Sequence, residues 1–381
     1  MTMRRLLKPV SLVLLPAMLL FTAAPAFAGG DQMGFTSYYF SDSGDNSVIT
    51  TSFNLAKKVF QQTALLIDIE LDHVKVPAVT AVTGATRPQR RVSEPFEKSR
   101  GQVIIGIEQG LGQSTTVAAN IYRSQEVDYT STALIGTMTQ DLNEKNTTIT
   151  VRGQYNADLV GKIFPNGDID NKKKKVYTAA LNVTQLLSPT TVLDMGYDFV
   201  HLTGYLSDPY RQVRVTDNNG AFVMTDEHHP SKRTRHAVSS KLSQMIPTIK
   251  ASLMGSYRYY FDSWKVNSHT AELKLNKYIV SDLIFGVNYR YYNQGAANFT
   301  QEKYVGQQYL INGFRTADYK LKNFGSNNFG FSLEYLLRGL GKMNPDLEFL
   351  QNSSIEIMYF RYFNDLDFSA NIVQASLKFS I

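Results

Sequence analysis

The chain of 381 residues contains no cysteine and one tryptophan, and no apolar run of eighteen residues follows Gly29. Without cysteine there is no disulfide framework, no thiolate zinc site, no thiol nucleophile and no acylated lipoprotein anchor. Without a long apolar run after the leader, a helical membrane protein is excluded. Charge of one sign is also scarce, with 39 Lys plus Arg against 33 Asp plus Glu and a formal +6. No basic stripe with interleaved stacking aromatics is present, so nucleic acid is not an expected partner. A Gly-rich phosphate loop, a nucleotide fingerprint and a zincin helix are missing too, and no cofactor is expected.

What is present begins with a leader. Arg4, Arg5 and Lys8 precede an apolar stretch from Val10 to about Ala24, followed by Ala26, Phe27 and Ala28. That order reads as a secretory signal cleaved after Ala28. A membrane anchor is the alternative, but the stretch is short and interrupted by Pro16. Residues 1–28 are thus expected to be removed and 29–381 to form the mature domain.

The mature chain is dominated by a period of two. Leu65, Ile67, Ile69 and Leu71 alternate with Asp68, Glu70 and Asp72. Leu193, Met195, Tyr197 and Phe199 alternate with Asp194 and Asp198, and Leu283, Phe285, Val287, Tyr289 and Tyr291 with Asn288 and Arg290. One face is apolar and the other polar, as in a half-exposed strand. Such segments fall near residues 33–41, 47–57, 62–73, 98–108, 114–125, 129–140, 146–157 and 175–186. They continue near 190–202, 236–246, 248–260, 265–277, 282–293, 325–336, 352–363 and 369–381. Each is close to the roughly 9–11 residues a tilted strand needs to cross a bilayer. The expected fold is an all-β transmembrane antiparallel up-and-down β-barrel of about sixteen strands.

Connections alternate in length. Tight turns at Ser188–Pro189–Thr190 and Ile246–Pro247–Thr248 contrast with long polar loops at Val76–Glu97, Leu159–Lys174, Ser207–Arg235 and Ala296–Phe324. With both termini in the periplasm, all four long loops fall on the outer side of a Gram-negative outer membrane. Tyr38–Phe40, Tyr257–Phe261, Tyr289–Tyr292 and Tyr359–Phe363 lie where strands end outward and are expected to form an aromatic girdle. Leu377, Phe379 and Ile381 resemble the C-terminal signal read by the barrel-assembly machinery, although a terminal Phe is its usual form. A soluble sandwich is the alternative, but it does not require strands of such uniform length.

Val82–Thr83–Gly84–Ala85–Thr86 pairs with a later Ser207–Asp208–Pro209–Tyr210–Arg211, and Asp226–Glu227–His228–His229–Pro230 precedes Arg233 and Arg235. Two tracts, Tyr257–Trp264 and Tyr289–Gln294, echo each other. In these motifs the chain resembles an uncharacterised outer-membrane β-barrel family, domain-of-unknown-function family three-five-seven-zero. The resemblance covers essentially the whole mature chain. It implies a barrel of this size and no assigned activity.

Alternation assigns Asp68, Glu70, Asp72, Glu108, Asp194, Asp198, Glu272, Glu334 and Glu356 to the inner wall, with Arg152, Lys250, Arg258, Lys274, Arg290 and Lys378. Opposed arcs of the two signs would set a field across a channel for small polar solutes; direct pairing would close the lumen and leave a scaffold or receptor. Arg258 and Arg290 suit a carboxylate or phosphate, or else they pair with Glu272 or Asp262. Lys172–Lys175 reads as a solvated loop, or as a contact for lipopolysaccharide phosphates. The long inner turn Gly339–Phe349 suits a periplasmic partner.

Enzymatic chemistry finds little support. Ser268 and His269 are adjacent and, on a strand, face opposite sides. Asp226, Glu227, His228 and His229 lack a distant ligand to make a specific metal site. No catalytic residue and no metal site is assigned.

Overall fold

The computed structural model describes residues 31–76, 96–164, 166–343 and 345–380. The proposed leader lies outside them, as do residues 77–95 of the first long loop. The strands are β1 Gln32–Asp42, β2 Ser47–Phe60, β3 Thr63–Val76, β4 Phe96–Leu111, β5 Thr115–Gln125, β6 Tyr129–Leu142 and β7 Thr147–Ile163. There follow β8 Ile169–Ser188, β9 Thr191–Gly204, β10 Gln212–Thr216, β11 Phe222–Asp226, β12 Lys232–Ile246 and β13 Ala251–Asp262. The last are β14 Asn267–Val280, β15 Leu283–Gln294, β16 Tyr304–Val305, β17 Phe324–Leu336, β18 Ser354–Asn364 and β19 Ser369–Ser380.

Sixteen of these close into one barrel, each paired antiparallel with its neighbour; β10, β11 and β16 form a separate small sheet. The ring closes where β1 pairs with β19, from Gln32 opposite Ser380 to Asp42 opposite Ala370. Closure removes the open edge that would otherwise expose unpaired backbone groups. A sixteen-strand ring at ordinary strand tilt has a backbone radius of about 15 Å.

The period of two sets what each face meets. On β14, Leu273 and Leu275 are exposed outward, while Glu272 and Lys274 are partly covered inside the bore. On β4, Ile105 and Ile107 point out and Glu108 points in. The barrel wall therefore holds its apolar side chains on the outside, and the compact apolar clusters lie elsewhere. One comprises Val213, Val215 and Tyr304; the other comprises Trp264, Val266, Ala297, Phe299 and Leu321. Both sit at the end of the barrel that carries the long connections, hereafter the loop end.

Several details depart from the sequence reading. Leu159–Lys174 is mostly strand, because β7 and β8 continue in register as a hairpin from Leu159 opposite Lys173 to Ile163 opposite Ile169. The lysine run is consequently split: Lys174 turns in and sits 3.0 Å from Asp158, while Lys173 and Lys175 stay exposed. Lys250 does not line the bore. It ends a 3-10 turn over Pro247–Ile249 in a left-handed conformation, φ 50°, because the proline delays the start of β13 to Ala251. The aromatic tracts are also divided, since consecutive strand residues must alternate. Tyr39, Tyr257, Tyr259, Phe261, Tyr289, Tyr291, Tyr359 and Phe363 form the outward belt, whereas Tyr38, Phe40, Tyr260, Tyr292, Phe360 and Tyr362 turn into the bore.

The turn end, opposite the loop end, carries tight turns with one exception. Between β17 and β18 stand a short helix, α1 Arg338–Met343, and a 3-10 turn over Pro345–Leu350. Arg338 Nε pairs there with Asp282, and the Phe349 ring meets that of Phe379 at 6.1 Å.

Candidate functional site

At mid-height the bore is lined by charged and polar side chains whose ion pairs run along the wall. Glu70 accepts from Arg100 Nη2 at 3.0 Å and Gln102 Nε2 at 2.6 Å, and Gln102 Oε1 accepts from the Tyr122 hydroxyl. Arg100 also reaches Asp72, 2.5 Å away. Lys241 and Asp194 stand 3.0 Å apart on adjacent strands, as do Lys378 and Glu356. Asp198 and Arg258, one strand further apart, are 3.8 Å from each other. Arg152 donates to Gln154 at 2.7 Å, and Glu272 accepts from Asn288 at 2.6 Å with Arg290 as its cross-strand partner. Lys274 faces the bore opposite Asn288.

Asp68 and Glu70 on β3 and Arg258 on β13 are separated by eight places in a ring of sixteen, so they face each other across the diameter. With walls about 30 Å apart, single side chains cannot bridge that gap. The outward wall has an apolar depression of about 880 Å³ between β3 and β7, lined by Ile105, Ile121, Leu134 and Tyr155. Most of its lining is apolar, and it belongs to the apolar exterior.

Over the loop end the segments between β9 and β12 and between β15 and β17 fold together into a lid. Val213 and Val215 of β10 are wholly buried against Tyr304 of β16, and β10 pairs antiparallel with β11 and parallel with β16. Tyr304 Oη donates toward the Phe299 carbonyl and accepts from Thr316 N at 3.0 Å, closing the second segment on itself.

Glu227 is the polar centre of the lid. Its Oε1 accepts from the Thr316 hydroxyl and Ala317 N, and its Oε2 from Asp208 N and Arg211 Nη1. His229 Nε2 lies 3.1 Å from Oε1, and the imidazole Nδ1 lies 3.1 Å from the Leu206 carbonyl. Burial raises the Glu227 pKa, but His229, Arg211 and Thr316 together outweigh it and hold the carboxyl at about 2. The Arg211 guanidinium also meets Asp208 and Asp318, and these carboxylates hold its pKa up against burial. Lys320 is held below the usual ammonium range by burial.

The lid is seated on the rim at widely separated points. Tyr210 donates to Asp128 in the turn between β5 and β6, and Lys162 at the end of β7 sits 2.7 Å from Asp226. Ala297 and Asn298 bond the carbonyls of Leu321 and Trp264. On the far side, Tyr319 stacks on Phe368 in the turn between β18 and β19. The β5–β6 turn and the origin of the second segment between β15 and β17 face each other across the ring, so the joined segments cross the mouth.

Beneath the lid, Asp262 anchors one corner. Its Oδ2 accepts from Arg233 and the Tyr260 hydroxyl, and its Oδ1 from the backbone of Trp264 and Val266. The Arg233 guanidinium lies 4.2 Å from the Trp264 ring centre. Arg235 neighbours this corner and keeps part of its surface open. A strand starting at residue 236, as the sequence pattern suggests, leaves Arg235 out of the bore lining; the alternation carried upward through Lys241, Ser239 and Ala237 includes it.

Ser268 and His269 are divided between the two faces. Ser268 is buried inside, while His269 is exposed on the belt with Nδ1 2.6 Å from the Tyr257 hydroxyl. Glu227 and His229 share one side of their strand extension and His228 the other, against Phe314. Among the described residues no group of three or more acidic or histidine side chains gathers as a metal site.

The DUF3570 family model, described as protein of unknown function, matches residues 30–381. No protein of curated function matches the chain in sequence. Solved structures with a similar fold include OccAB1 of Acinetobacter baumannii, 9% identical with a TM-score of 0.47, covering 91% of this chain and 95% of that one. OpdK of Pseudomonas aeruginosa, solved with vanillate, is 8% identical with a TM-score of 0.44, covering 91% and 97%. The ferric enterobactin receptor of the same organism is 11% identical with a TM-score of 0.47, covering 88% of this chain and 53% of its own.

Proposed function

The chain belongs to the DUF3570 family of proteins of unknown function, and from that premise, which carries no activity, we propose an outer-membrane channel of a Gram-negative bacterium for small polar solutes. The observation that carries the reading is the course of the ion pairs: Glu70 with Arg100, Asp194 with Lys241 and Asp198 with Arg258 all follow the wall. The charges are directly paired, as a closed lumen is expected to show, but the pairs join neighbouring or next-but-one strands and none of them reaches across the bore. Here carboxylates of β3 oppose a guanidinium of β13 across that space, and such opposed arcs orient a polar solute in transit. The apolar exterior with its aromatic belt suits a bilayer, and the lid end suits the cell exterior.

Planar-bilayer conductance of the purified protein tests this reading. Unit current steps are expected. A silent bilayer containing protein that still migrates as a heat-modifiable barrel would overturn it.

A second reading, a closed receptor or scaffold, is favoured by the lid, which ties opposite sides of the mouth through Tyr210 and Tyr319. Under either reading Lys173, Lys175 and Lys232 stand exposed above the aromatic belt, where lipopolysaccharide phosphates lie. On the turn end, α1 with its exposed Leu340 and Met343 is the element available to a periplasmic partner. Export through a cleaved leader and insertion by the barrel-assembly machinery belong to the same proposal.

A further inference from the structure

Arg233 and Arg235 leave the same strand on the same side, two residues apart, with one carboxylate between them and β13. That carboxylate, Asp262, is fully engaged: five donors occupy its two oxygens, and its guanidinium partner is Arg233. Arg235 is thus left beside a like charge without a carboxylate of its own. Its Nε is shielded from solvent and finds no hydrogen-bond acceptor among the described residues. A guanidinium with a shielded, unanswered donor is costly, because desolvation is incurred without the compensating bond.

The surroundings suit an anion rather than a structural counterion. Arg235 faces the bore just below the lid, and part of its surface remains open to that space. On the neighbouring strand Arg258 lies 5.8 Å from the Tyr260 ring centre, and its nearest carboxylate, Asp198, is loosely held at 3.8 Å and half exposed. Tyr260 spends its hydroxyl on Asp262, so it offers a ring wall rather than a competing acceptor. Guanidinium groups bind planar or tetrahedral oxyanions through paired N–H donors, better than ammonium groups do.

We propose that Arg235 forms an oxyanion site under the lid that takes the carboxylate or phosphate group of a small solute entering the bore, with Arg258 lining the bore below it, opposite Ser239. The site does not depend on conduction. A channel would use it to favour anionic solutes; a closed receptor would use it to hold one.

The test is isothermal titration of the purified full-length protein in detergent with inorganic phosphate and, separately, with succinate. Saturable binding of at least one is expected, and the tighter of the two identifies the oxyanion. Arg235→Gln should weaken that binding by about tenfold or more, the loss of one charge-assisted pair, and Arg235→Lys should restore part of it. Fluorescence of Trp264, the only tryptophan, and heat-modifiable migration report whether each variant keeps its lid and barrel. Absence of binding to the wild-type protein, or equal binding by a folded Arg235→Gln variant, would overturn the site. Since the readout is heat rather than current, a silent bilayer would sink the channel reading and leave this one standing.

Discussion

Tyr210 and Asp128, 82 residues apart in the chain, are joined by a 2.8 Å hydrogen bond from the phenol to the carboxylate, which fastens the lid to the rim between β5 and β6. The same phenolic oxygen accepts from Ile163 N at 3.2 Å, so one side chain ties the lid to two neighbouring hairpins. Asp128 is also held by Lys98 and would remain paired without the tyrosine. Tyr210→Phe therefore removes the tether while leaving the rim intact. A hydrogen bond to a charged group contributes about 1.5–3 kcal/mol, and partial exposure reduces this to about 1–2. Amide hydrogen exchange across β10 and β11 should quicken by roughly five- to thirtyfold, with the barrel strands unchanged. Unaltered exchange in the lid would show that the tether contributes nothing.

Acid should loosen the lid. The Glu227 carboxyl is held at about 2 in the folded lid, below its ordinary value of 4.5. A depressed carboxyl pKa contributes stability that is present in full above about 4.5 and is lost as pH falls toward 2. The gap corresponds to about 3 kcal/mol over that window. Trp264 packs against Phe299 and His229 at the base of the lid, so its fluorescence reports the change. Glu227→Gln should flatten the response between pH 4.5 and 2 and weaken the lid at neutral pH. A variant that keeps the full acid transition would assign it to other groups.

The barrel was legible in the sequence because a wall between lipid and water imposes its period on every strand, as in Leu65 to Leu71. That same rule shows why the aromatic girdle was overdrawn: Tyr259 and Tyr260 are both aromatic, yet neighbours on a strand cannot share a face. The lid was not legible. Val213 and Val215 form a strand of five residues, and their partner Tyr304 lies some ninety positions on in another polar loop. Nothing local announces such a pairing. Lys250 misled because its spacing fits β13, and only the left-handed turn after Pro247 takes it out of the ladder. Arg235 lay within a motif noted in the sequence, but its lack of an acceptor depends on which donors had already filled Asp262.

Gly204 sets the departure of the lid from β9. It adopts φ 112°, a conformation that side chains with a Cβ rarely take, and a Cβ there would fall 2.3 Å from the Lys173 carbonyl oxygen. That carbonyl accepts from Tyr205 N, and Gly204 N itself bonds the Ser231 carbonyl, so the backbone is fixed from both sides. Gly204→Ala is expected to strain this junction by about 1–3 kcal/mol. Proteolysis should then nick the lid at lower protease concentration, while the heat-modifiable barrel core persists. Equal resistance in variant and wild type would mean the junction yields without cost.

The opposed arcs predict opposite effects from two substitutions that each remove one charge. Asp68 stands on β3 and Arg258 on β13, on facing walls of the bore. If current flows between them, Asp68→Asn strips a carboxylate from one wall and should move the reversal potential in a salt gradient toward the anion. Arg258→Gln should move it toward the cation, and further than charge count alone suggests, because Asp198 then loses its partner. Screening at ordinary ionic strength limits each change in permeability ratio to about twofold. Repeating the measurement at high salt should shrink both shifts together, since they share an electrostatic origin. Shifts of the same sign in the two variants would place the ion path away from this pair of walls.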